Sequence, residues 1–132
     1  MQLSTPHRRN PIEATPQAIG DVISELPGEK YPFVILGGGD QMRFIQAWWT
    51  PGGFILEFQE GSVAEHFRCL REDLSADEVI TAFKTYLDWQ GRGRPPFEYR
   101  QVEVRPLWFR LGYRTGTALG RLWRALGHRP SK

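Results

Sequence analysis

Few residues in this 132-residue chain combine a nucleophile with a base at a useful spacing. Glu65, His66 and Cys69 come nearest, since a thiol beside an imidazole that can deprotonate it is the working pair of a covalent catalyst. On an extended strand, however, His66 and Cys69 point to opposite faces and do not meet without a bulge. The alternative is a half-exposed histidine and a buried thiol. His7 and His128 lie near the two ends, and no Cys/His spacing resembles a zinc site. Gly37-Gly38-Gly39 follows an apolar run as a phosphate loop would, but no Lys-Ser/Thr comes after it and no helix start offers its amides to an anion. A tight turn is the simpler reading. The expectation is no enzyme, no catalytic residue, no cofactor and no metal.

The elements that would position these residues follow from periodicity and breakers. Residues 1 to 14 are polar and contain proline, which predicts a flexible arm. Thr15-Pro16 reads as an N-cap with proline in the first turn, opening a helix to about Leu26 with Ile19, Val22, Ile23 and Leu26 on one face. Phe33 to Leu36 predicts a short buried strand. Met42 to Thr50 and Phe54 to Gln59, joined by Pro51-Gly52-Gly53, predict a hairpin whose second strand has an apolar face (Phe54, Leu56, Phe58) and a more polar one (Ile55, Glu57, Gln59). Val63 to Leu70 predicts a fourth strand. Ser75-Ala76-Asp77-Glu78 has the form of a capping box, with Val79, Ile80, Phe83 and Leu87 as the stripe of a second helix. After the breaker-rich loop Gln90 to Pro96, Phe97 to Val104 predicts a last strand. The class is α+β: an antiparallel sheet of about four to five strands packed with two to three helices, as a 15–104 domain preceded by the 1–14 arm.

From Leu107 to Leu126 the apolar residues gather on one side of a helix and Arg110, Arg114, Arg121 and Arg124 on the other. The region 105–132 therefore predicts a basic amphipathic helix and tail. Its seven basic residues have no acid among them, whereas all fifteen acids lie between Glu13 and Glu103 with only eight Lys or Arg, a net of −7. The overall net charge of +2 hides an acidic body and a basic tail. One cysteine excludes an intramolecular disulfide, and no apolar stretch approaches the roughly 18 residues that span a bilayer. A cytoplasmic address is expected.

Trp49-Thr50-Pro51-Gly52-Gly53-Phe54-Ile55-Leu56-Glu57-Phe58-Gln59-Glu60-Gly61, then His66-Phe67-Arg68, then the run from Leu74 to Leu87 stand in a telling order. A glycine-turned hairpin ending in Glu-aromatic, a His-aromatic-Arg strand and a helix opened by Leu-Ser-x-Asp-Glu-Val resemble the first-numbered family of immunity proteins from bacterial polymorphic toxin systems. The similarity covers about residues 15 to 104. It departs at Phe97-Glu98-Tyr99, where the family commonly has a tryptophan, and the segment from Arg105 has no counterpart. The resemblance implies a domain that binds and neutralises a cognate toxin of the same cell, with several such proteins paired to deaminases that act on nucleic acid.

A toxin acting on nucleic acid has a cationic groove, which an acidic, aromatic surface would fill. The expected contacts are Trp48, Trp49, Glu57, Glu60, Glu65, Asp73, Asp77, Glu98 and Glu103. Each acid has the plainer reading of a solvated charge, and Asp77 and Glu78 also suit a helix N-terminus. Adjacent Trp48 and Trp49 face opposite ways on a strand, so one is expected in the core and the other exposed. The alternative function is an adaptor that binds nucleic acid or an anionic membrane surface through the basic helix. Direct nucleic-acid binding is not the favoured reading, because that helix can equally cover the domain's own sheet or a second copy. A small enzyme with a site assembled from distant residues is the remaining class.

Overall fold

Capping chemistry sets where the two helices begin. Thr15 Oγ1 accepts the Ala18 amide at 3.1 Å and Pro16 fills the first turn, so α1 (Pro16–Glu25) starts without fraying and buries Ile19, Val22 and Ile23. Before α2 (Ala76–Asp88), Ser75 Oγ accepts the Glu78 amide and the Glu78 carboxylate accepts the Ser75 amide, each at 3.1 Å. The predicted capping box is therefore formed at both bonds. Ser75→Ala removes one of them and is expected to cost about 1 kcal/mol. A thermal melt followed by circular dichroism should show a midpoint roughly 4 °C lower for a domain of this size.

The computed structural model describes residues 1–102. Its strands are β1 (Gln2–Ser4), β2 (Ile12–Glu13), β3 (Phe33–Gly37), β4 (Arg43–Thr50), β5 (Gly53–Glu60), β6 (His66–Cys69) and β7 (Tyr99–Gln101). They form one antiparallel sheet in the order β2-β1-β3-β4-β5-β6-β7. The α+β class stands, with seven strands where four to five are predicted and with two helices among the described residues. The helix expected over 105–132 lies outside the described residues.

The additional strands replace the flexible arm. Leu3 pairs with Leu36 and is buried, and Ile12 pairs with Leu3 and packs on the core. Strands of three and two residues are too short for alternation to announce them, and the prolines between them mask the pairing. Two other strands are shorter than predicted: β7 starts at Tyr99, since the Phe97 amide is turned back to Pro95 O at 2.8 Å, and β6 is cut at its beginning. Ser62 to Glu65 is a turn closed by Glu65 N–H to Ser62 O at 3.0 Å, so β6 starts only at His66.

The helices cover one sheet face. Ile19, Val22, Ile23, Val79, Ala82 and Phe83 belong to the same buried cluster as Val34, Leu36, Ile45, Ala47, Leu56 and Phe58. The opposite face carries buried Phe33, Ile35, Phe44 and Trp48, with Ile55, Val63 and Val102 packed against them. Alternation from Phe44 and Trp48 puts Gln46 on this second face, and the register Gln46↔Glu57, Glu57↔Arg68 and Gln59↔His66 brings the others beside it. The polar face predicted for β5 is thus as buried as its apolar one: Glu57 is 0% and Gln59 1% exposed. Among the described residues no helix is long and apolar enough to cross a membrane.

Candidate functional site

The hairpin and β6 together build a buried polar network on the second sheet face. Glu57 Oε1 accepts from His66 Nε2 at 2.7 Å and from Gln46 Nε2 at 3.0 Å, and Glu57 Oε2 accepts from Arg68 Nε at 2.5 Å. Gln59 Nε2 donates to the Met42 carbonyl at 3.1 Å, which turns its Oε1 toward His66 Nδ1 at 3.0 Å. Each imidazole nitrogen of His66 thus has one side-chain oxygen as its partner. The Arg68 guanidinium also lies 5.3 Å from the Trp48 ring centroid and reaches Glu72 at 3.5 Å.

Burial by itself raises the Glu57 pKa, but the His66 hydrogen bond and the charges of His66 and Arg68 outweigh it and hold this carboxyl below its ordinary value. A carboxylate with this many donors is well satisfied where it sits. The arrangement does not offer chemistry to a substrate: Glu57 and His66 are both 0% exposed, and Cys69 faces the helix side of the sheet. The half-exposed histidine expected from sequence is fully buried. Among the described residues no three His, Cys, Asp or Glu side chains gather as metal ligands would.

Two of the predicted contact residues are consequently inside the protein. Glu57 is consumed by the network and Trp48, 3% exposed, packs among Phe33, Ile35 and Phe44, because alternate residues of a strand buried on both faces have no solvent side. Trp49, expected to be the exposed one if Trp48 is core, is half-buried against the helix-side cluster. Glu60 is held by Arg94 at 2.8 Å, Asp73 by Arg71 at 3.1 Å, and Glu65 accepts from Ser62 Oγ at 3.1 Å. Asp77 and Glu98 are exposed and make no ion pair among the described residues. Glu103 lies outside the described residues.

Comparison with protein-family models, curated proteins and solved structures returns no match. The surface of this chain has to be interpreted from its own geometry.

The surface features that sequence reasoning misses are Leu70 and Trp89, about half-exposed at 50% and 47%, and two depressions near α2. One, of about 480 Å³, is lined by Asp88, Trp89, Gln90 and Arg92 at the helix C-terminus. The other, of about 240 Å³, lies between the start of α2 (Asp77, Glu78, Thr81, Ala82) and Pro96-Phe97. The wall formed by Pro96-Phe97 is held in place from both sides. Arg94 stacks 4.3 Å from the Phe67 ring centroid while gripping Glu60, and the Tyr99 hydroxyl donates to Pro95 O at 2.9 Å. Nothing in the breaker-rich composition of Gln90 to Pro96 signals this bracing, since it depends on β5 and β6 supplying the aromatic platform.

Proposed function

We propose that this protein is an immunity protein that binds a toxin domain of its own cell, one that acts on nucleic acid, and blocks it. The observation that carries the reading is the convergence of the resembling motif residues. Glu57 of the hairpin and His66 and Arg68 of the His-aromatic-Arg strand meet in one buried network, and the Leu-Ser-x-Asp-Glu-Val segment forms the capping box that opens α2. Residues tied together in this way hold a scaffold, which leaves the surface to do the work. That surface is acidic: with buried Glu57 set aside, residues 1–102 carry thirteen Asp or Glu against ten Lys or Arg, a net of −3. Such a field speeds encounter with a cationic partner and disfavours direct contact with phosphates.

Co-expression tests it. Together with the toxin domain encoded by the adjacent upstream gene, the protein should restore growth and co-purify at fixed stoichiometry, with an association rate that falls as salt is raised. A chain with no toxin-like neighbour, or one that leaves the toxin active, would sink the proposal.

A further inference from the structure

The second sheet face is buried, yet neither described helix lies on it. Cross-strand pairing sets three rows of side chains there: Phe33, Trp48 and Ile55; Ile35, Gln46, Glu57 and Arg68; Phe44, Gln59 and His66. Phe33, Ile35, Phe44 and Trp48 are 3–5% exposed, and Gln46, Glu57, Gln59 and His66 0–1%. Among the described residues, Val63 and Val102 pack on this side and the Arg68 guanidinium lies over Trp48. These three sit toward β6 and β7, whereas Phe33 and Ile35 stand on β3, three strand spacings or about 14 Å from β6. Two valines and a guanidinium at one side do not keep such a face from water. A further element has to lie across it.

The chain's own continuation fits. Val102 donates its amide to His66 O at 2.9 Å and packs on this cluster, so the chain passes into residues 103–132 at this face. A helix from Leu107 to Leu126 would be about 30 Å long, enough to cross the roughly 20 Å from β7 to β3. Its stripe of Leu107, Trp108, Leu111, Leu119, Leu122 and Trp123 suits an apolar face, with the arginines on the reverse. Gly112, Gly116 and Gly120 weaken such a helix in isolation, so its formation depends on a surface to pack against. Seven basic residues without an acid also favour a body whose surface acids outnumber its bases thirteen to ten. We infer that residues 107–126 dock as an amphipathic helix across the second sheet face of their own chain, stripe inward and arginines outward, completing a helix–sheet–helix layering. The inference is independent of the proposed function, and it withdraws the apolar side of this segment from any bilayer.

Nuclear Overhauser spectra of the full chain with labelled isoleucine methyls test the docking. Ile35 and Ile55 should show contacts to the Trp108 or Trp123 indole or to the methyls of Leu111, Leu119 or Leu122, while Ile19 and Ile23 on the other face show none. In a mixture of labelled and unlabelled chains, an isotope filter that passes only contacts between molecules should remove those peaks. Peaks that survive the filter assign the cover to a second copy and overturn the inference, as does a wild-type spectrum without them. Leu119→Asp puts a charge into the stripe and should lower the thermal midpoint by roughly 5 °C or more, whereas Arg124→Gln on the reverse should move it by less than about 2 °C. Equally small shifts for the two variants overturn the inference, and the wild-type spectra decide the matter should Leu119→Asp fail to fold. Indole signals of Trp108 and Trp123 that move only when phosphatidylglycerol vesicles are added would mean a segment undocked in water, which overturns the inference in favour of a membrane adaptor.

Discussion

Glu57→Ala should lower the unfolding free energy by about 3–5 kcal/mol, the usual cost of removing one partner from a buried charge pair. The substitution leaves His66 Nε2, Arg68 Nε and Gln46 Nε2 without their acceptor in a part of the sheet where Glu57 and His66 have no solvent contact. Arg68 is partly exposed and keeps Glu72 within reach, whereas His66 and Gln46 are buried and lose a charged acceptor, which carries most of the cost. Glu57→Gln separates charge from shape: it keeps an acceptor oxygen and most of the volume, and should lose less than Glu57→Ala. Urea denaturation at neutral pH measures both; an alanine variant within about 1 kcal/mol of wild type would show that the network contributes little.

The same carboxyl sets an acid limit. Its folded pKa lies below the ordinary value of 4.5, despite burial, through His66 and Arg68. A group depressed in the folded state contributes fully above its unfolded pKa and loses that contribution as pH falls through the folded value. Wild-type stability should therefore decline below about pH 4.5, and Glu57→Gln should show a shallower decline from a lower starting point. Parallel curves for the two proteins would assign acid sensitivity to other carboxylates.

Gly53→Ala carries the second large effect, about 2–4 kcal/mol from backbone strain together with a forced displacement. Gly53 has φ +129°, a region that side chains rarely adopt, and an added Cβ would stand 2.6 Å from the Asp73 Cα and carbonyl carbon. Asp73 cannot simply retreat. The next residue, Leu74, is bridged to Phe54 by N–H to O bonds of 2.8 and 3.2 Å, and Ser75 after it is the cap of α2. Displacing this backbone would disturb the hairpin, the bridge and the helix start together. Gly52→Ala is the matched control, since its Cβ would meet only Thr50 Oγ1 at 3.7 Å. Chemical denaturation of the pair should show a large loss for position 53 and a small one for 52; similar losses would contradict the close-approach account.

What the sequence by itself determined were the features governed by near neighbours. Thr15-Pro16 and Ser75 with Glu78 specified both helix starts, because a cap is satisfied by residues within one turn. Pro51-Gly52-Gly53 between two apolar runs specified the β4–β5 hairpin, and the apolar stripes specified which helix faces go inward. Asp77 and Glu98 were legible as exposed acids, because polar residues at a helix start and beside a strand rarely become buried.

Tertiary structure alone decided the rest. Whether the second face of β5 meets water depends on what lies across the sheet, so Glu57 could read as a surface contact until its register with Gln46 and Arg68 placed it inside. Trp48 follows the same logic. The strands at Gln2–Ser4 and Ile12–Glu13 are too short to signal themselves and exist because β3 offers an edge for Leu3 to pair with. The groove at Asp77 and Phe97 joins residues twenty positions apart, and only the bracing of Arg94 and Tyr99 against β5 and β6 brings its two walls together. Local hydrogen bonds can be deduced from residues near in the chain, whereas burial and concavity belong to the assembled sheet.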